Sequence, residues 1–145
     1  VDERGHAEAQ VRAALDMREP DRMKYIVPQR EQADVIVRWR REAPEAPLDL
    51  EVVARNSFDL DRVVAALRAA GAAVDHDPYL DARWQRLLLG GSAAVAAELH
   101  VAAAAATIPN LDELAPRPAF RDGLPGGLQL VLLACLSARL RRVGA

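Results

Sequence analysis

The 145-residue sequence has one cysteine, one lysine, six aromatic residues and no long uninterrupted apolar run. Each shortage excludes something. The lone Cys135 cannot close an internal disulfide, and without a second thiol there is neither a cysteine zinc cluster nor a redox pair. A reducing, cytoplasmic compartment fits. The longest apolar stretches, Val101 to Ala106 and Leu130 to Leu136, fall far short of the roughly 20 residues that span a bilayer, so no membrane partner is expected. The charged opening Val1, Asp2, Glu3, Arg4 is not the apolar core of a secretory signal. Because the chain opens on Val and not Met, a processed or truncated start is expected. An excess of one charge is also absent. With 19 Lys+Arg against 21 Asp+Glu, the net charge of -2 leaves no basic footprint, and nucleic acid is not expected as a partner. No stretch reads Gly, four residues, Gly, Lys, Ser/Thr, so these residues contain no phosphate-cradling P-loop. His6, His76 and His100 stand far apart and without a second ligand at helical spacing, so no metal site is expected.

What is present is a chain long enough for one sizeable core, half hydrophobic and rich in Ala and Arg. Lys24 is the exception among the basic residues, which are otherwise all Arg and mostly scattered singly. This dispersion is read as coding bias in preference to anion recognition.

Apolar spacing at Val11, Ala14 and Leu15 predicts a short amphipathic helix over Glu8 to Met17. Pro20 at a first helical position, followed by Asp21, predicts a second helix to about Tyr25, ended by Pro28. The β-branched run within Ala33 to Val37 reads as a buried strand, with Asp34 satisfying backbone donors locally. Pro44, Pro47 and the charges between Arg40 and Pro47 read as a domain boundary, dividing the chain into residues 1–43 and 47–145. Beyond it, Leu48, Leu50, Val52 and Ala54 alternate as in a half-exposed strand. Ser57 is the expected cap of a helix carrying Leu60, Val63, Val64 and Leu67, which Gly71 terminates. A turn from Asp75 to Tyr79 leads to a strand at Trp84 to Leu89. Ser92 is the expected cap of an alanine-rich helix to Ala106, a short helical turn follows at Leu111 to Leu114, and a long helix runs from Leu124 to Arg142. Leu128, Val131, Leu132, Cys135, Leu136 and Leu140 form its apolar stripe, and Cys135 within it reads as a buried, inert thiol.

The opening segment carries a more specific pattern. Asp2, Glu3, Arg4, Gly5, His6, then Arg18, Glu19, Pro20, Asp21, then Tyr25, Ile26, Val27, Pro28, Gln29, then Ala33, Asp34, Val35, Ile36 resembles the phosphoribulokinase and uridine kinase family. The ending Gly123, Leu124, Pro125, Gly126, Gly127, Leu128, Gln129 with Leu136, Arg139 and Leu140 looks like that of the plant and cyanobacterial type of phosphoribulokinase, although the paired regulatory cysteines have no counterpart. The resemblance implies an α/β fold. Residues 1–43 would be the carboxy-terminal part of a P-loop kinase core, with lid helices and the last parallel strand, and residues 47–145 a small appended α+β domain with a long carboxy-terminal helix. It implies transfer of the ATP γ-phosphoryl to a sugar phosphate such as ribulose 5-phosphate, with ATP and Mg²⁺ held mainly outside this chain and no catalytic residue within it.

By the same resemblance Arg4 contacts substrate phosphate, where a planar, always charged guanidinium can give two parallel hydrogen bonds. Lys24, Tyr25 and Gln29 carry ammonium, hydroxyl and amide donors suited to the sugar phosphate, and equally suited to ordinary packing or helix-end roles. Arg18 aligns with a basic position that answers effectors in some relatives, yet any Arg near a helix end is favoured there. His6 is expected in a lid cap or in solvent. Two alternatives remain open: a uridine kinase-like nucleoside kinase, which the few aromatics disfavour, and a noncatalytic assembly module whose strands extend a sheet across a homodimer.

Overall fold

A computed structural model describes residues 8–90, 95–115 and 117–143. The chain divides into two units, Val1–Asp34 and Val35–Ala145.

In the first unit, α1 (Glu8–Asp21) is followed by a π-helical turn, Arg22–Ile26, and by the short α2 (Gln29–Gln32). The two helices expected on either side of Pro20 are thus one, with Pro20 inside it. Pro20 has no N–H to give to the Asp16 carbonyl one turn back, which loosens the ladder at that point. The turn that follows is wider, and Val27 N–H donates to the Arg22 carbonyl at 2.9 Å, five residues back. The Val11 and Leu15 face has helical spacing but no cover: every described side chain from Ala9 to Gln32 is exposed.

The second unit begins with β1 (Val35–Arg40) and β2 (Asp49–Arg55), followed by α3 (Asp61–Ala69), β3 (Val74–Asp77) and β4 (Trp84–Leu89). Then come α4 (Ala97–Thr107), α5 (Leu111–Leu114) and α6 (Gly123–Val143). The four strands form one antiparallel sheet in the order β1-β2-β4-β3. Two expectations are corrected here. The Val35 strand is not a parallel member: it pairs antiparallel with β2, Val35 opposite Ala54 and Arg40 opposite Asp49. Residues 41–48 are too few for the crossover of a dozen or more residues that a parallel neighbour needs. For the same reason the Pro44 to Pro47 stretch is a connection inside one sheet, and the division of the chain falls at Asp34/Val35.

The core follows from period-two alternation. Leu50, Val52 and Ala54 of β2 and Leu87 and Leu89 of β4 point to one face and pack with Val63, Val64 and Leu67 of α3, Ala103 and Ala104 of α4, and Leu130, Val131 and Cys135 of α6. Each fully buried Leu or Val contributes about 1.5–3 kcal/mol. The small side chains of α4 let it pack closely against α3 and α6. β2, expected to be half exposed, is buried along both faces from Leu50 to Ala54. On the face away from the helices, Arg38 and Arg40 of β1 reach over Glu51 at 3.1 and 3.2 Å.

Three local starts differ from expectation because their partners are not the nearest hydroxyl. α3 begins after Leu60, not Ser57, and the Asp59 carboxylate accepts from Asp61 N–H at 3.2 Å. α4 begins at Ala97, whose N–H is taken by Asp122 at 2.7 Å; Ser92 lies outside the described residues. β3 occupies part of the stretch expected as a turn. Gly71, at φ +89°, is the left-handed terminator foreseen after α3. By length and composition α6 could also cross a membrane, which the apolar runs alone did not suggest. Its stripe is split: Val131 and Cys135 are buried, whereas Leu132, Leu136 and Leu140 are exposed.

Candidate functional site

The residues singled out by the opening motif fall in the first unit. α1 and the π-helical turn border a groove of about 520 Å³ lined by Leu15, Arg18, Glu19, Asp21, Arg22, Tyr25 and Ile26. Arg18 and Tyr25, seven residues or about two helical turns apart, line the same groove. Leu15 and Ile26 supply apolar wall, and the Tyr25 ring presents an aromatic body with a polar tip.

Arg22 forms a two-pronged pair with Glu19, Nε to Oε2 at 2.7 Å and Nη2 to Oε1 at 2.6 Å. This hydrogen bond holds the Glu19 carboxyl below its ordinary range and raises the Arg22 guanidinium. Both side chains stand in solvent, so the pair orients more than it stabilises. With Glu19 and Arg22 offsetting each other, Arg18 and Asp21 leave the groove close to neutral. Lys24 does not line it; its ammonium sits 4.9 Å from the Tyr25 ring centroid, a cation–π contact that ties a positive charge to the groove's edge.

Among the candidates named from the sequence, then, Arg18 and Tyr25 share one groove, with Lys24 joined to it through the Tyr25 ring. Gln29 opens α2 and is not among the lining residues. Arg4 and His6 lie outside the described residues. The sequence reading passed over Arg22, although its spacing of three from Glu19 is the signal for such a pair.

Among the described residues no three His, Cys, Asp or Glu side chains come together to hold a metal ion. The sequence also contains no P-loop motif to cradle the phosphates of ATP. The described residues thus offer neither an acidic cluster for Mg²⁺ nor a P-loop for ATP.

Two histidines of the second unit have structural surroundings. Gln85 gives both amide protons away, to the Arg55 carbonyl at 3.1 Å and the Phe58 carbonyl at 2.7 Å. Its oxygen must therefore accept from His76 Nε2, 3.0 Å away, which assigns the proton to that nitrogen. The network ties β3 and β4 to the connection after β2. His100 is buried with both ring nitrogens unpartnered.

Comparison with known proteins brings no match: no family model fits the chain, and no curated protein and no solved structure matches it.

Proposed function

We propose that this chain is the acceptor-binding part of a sugar phosphate kinase of the phosphoribulokinase kind, which transfers the ATP γ-phosphoryl to a substrate such as ribulose 5-phosphate. The observation that carries the reading is the meeting of Arg18 and Tyr25, with Lys24 beside them, on one groove. A guanidinium, a phenol and an ammonium are donors suited to a phosphorylated polyol. The groove's own charges nearly cancel, so preference for a phosphate would depend on Lys24 at its edge. ATP and Mg²⁺ would be held by a P-loop segment outside these residues, and the contribution of this chain is binding and enclosing the acceptor.

The test is kinetic, on the full polypeptide that carries this chain. Lys24→Ala is expected to lower kcat/KM for ribulose 5-phosphate by about tenfold or more, the loss of one charged hydrogen bond of roughly 1.5–3 kcal/mol. Tyr25→Phe should have a smaller effect in the same direction. Unchanged kcat/KM in both variants would remove the groove from the acceptor site. Preference for uridine over the sugar phosphate would instead favour a nucleoside kinase.

One observation favours a second reading. β1 is an edge strand whose outer side has no strand partner among the described residues, and Val37 and Trp39 on it are exposed. An assembly module that extends its sheet across a homodimer would use that edge. Sedimentation of the chain distinguishes a concentration-dependent dimer from a monomer.

A further inference from the structure

A second, smaller cleft lies wholly within the unit Val35–Ala145. It has a volume of about 140 Å³ and lies between the start of α3, the end of α4 and the last turns of α6. Arg62 and Arg141 border it from two different helices, Asp59 stands at the same cleft, and Thr107 and Ser137 contribute hydroxyls. Ser137 is 1% exposed, so the cleft reaches down to the buried side of α6.

Neither Arg62 nor Arg141 has a hydrogen bond or ion pair with another described residue. Other arginines of this unit are held by the protein: Arg38 and Arg40 by Glu51, Arg68 by the Val74 carbonyl, Arg142 by the Ser57 carbonyl. The two hydroxyls have already given their protons, Ser137 to Asn110 Oδ1 and Thr107 to the Ala103 carbonyl at 2.7 Å. The side-chain donors left at the cleft are therefore the two guanidiniums. Asp59 offsets one of them in charge, with Oδ1 turned to the Asp61 N–H, and the lining keeps a net single positive charge.

We propose that this cleft binds one tetrahedral oxyanion, either inorganic phosphate or the phosphoryl group of a larger ligand. Size limits the occupant, because ordinary small-molecule pockets run from about 300 to 1,000 Å³ and this one admits a single small group. Shape selects it. One planar fork saturates a planar carboxylate, whereas two forks from separate helices suit an anion with oxygens directed several ways. The inference does not depend on the kinase reading, since the groove of the first unit plays no part in it.

The test is titration of the chain with inorganic phosphate and with glycerol 3-phosphate, by calorimetry and by thermal unfolding against chloride at matched ionic strength. Saturable binding beyond chloride is expected, weakened about tenfold by Arg62→Gln and by Arg141→Gln. Asp59→Asn keeps the oxygen that accepts from Asp61 but removes the charge, and it should tighten binding several-fold. Loss of folding cannot produce that opposite sign. Arg117→Gln, outside the cleft, should leave binding unchanged. Tighter binding of glycerol 3-phosphate would mark a larger ligand, and equal or weaker binding would mark free phosphate. No saturation beyond chloride would overturn the proposal. So would binding that is the same in wild type, the Arg62→Gln/Arg141→Gln double variant and Asp59→Asn, which would mean an adventitious ion only.

Discussion

His100 and Gly126 show how much one contact can decide. A Cβ built on Gly126 would stand 1.9 Å from the Arg121 carbonyl oxygen and 2.4 Å from His100 Cδ2. The bare glycine is what lets the imidazole lie against the first turn of α6, with Phe120 at 6.2 Å between ring centroids. Gly→Ala inside a helix ordinarily stabilises by about 0.5–1 kcal/mol. Here Gly126→Ala should destabilise by about 1–3 kcal/mol, through overpacking, and thermal unfolding would register a fall in Tm where helix propensity alone predicts a rise. Burial lowers the His100 pKa from its ordinary 6.5; the nearby Gly123 carbonyl and the Asp122 charge pull the other way without prevailing. The unfolded chain therefore takes up the proton first as pH falls. The stability that His100 contributes as a neutral ring is whole above the unfolded value and is lost as pH drops below it. Urea unfolding at about pH 7.5 and about pH 5.5 should show wild type losing more stability than His100→Leu over that interval. Equal losses would mean that the ring is not held neutral.

At the scale of elements, the π-helical turn is the feature most closely linked to the candidate site. Pro20 interrupts the hydrogen-bond ladder of α1, and a proline inside a helix typically costs about 3 kcal/mol. Pro20→Ala should restore regular α-helix through Arg22–Ile26. Circular dichroism would then show more regular α-helix. Unchanged helicity would mean that the wide turn has another origin.

Elements with a strong local pattern were legible in the sequence: the alternation of β2 and β4, α3 with its terminating Gly71, and the length of α6. What was not legible depends on distant partners. Val74–Asp77 carries two Asp and one His, poor strand formers, and becomes a strand because Trp84–Leu89 offers it a ladder. α4 starts where Asp122, far along the chain, caps it. Leu132, Leu136 and Leu140 belong by spacing to the apolar stripe, yet they stay uncovered on a 21-residue helix whose inner face alone meets the core. At the groove, Arg18, Lys24 and Tyr25 were legible as residue types. The π-helical turn beside them was not, because one proline can end a helix, kink it or widen it.

On the scale of the whole chain the two units differ in how they are held. Val35–Ala145 contains the buried cluster, whereas the first unit has no buried side chain from Ala9 to Gln32. A unit that buries so little contributes little hydrophobic stability. Trimming the chain to begin at Val35 should therefore shift Tm by no more than about 4 °C, the equivalent of about 1 kcal/mol in a domain of this size. A larger fall would show that residues before Val35 stabilise the sheet.

The central functional claim concerns the acceptor, and the measurement closest to it is ADP release by the full polypeptide with ATP, offered ribulose 5-phosphate or uridine in separate reactions. The account predicts release that depends on the sugar phosphate and is negligible with uridine. Release with uridine alone, or with neither acceptor, would contradict it.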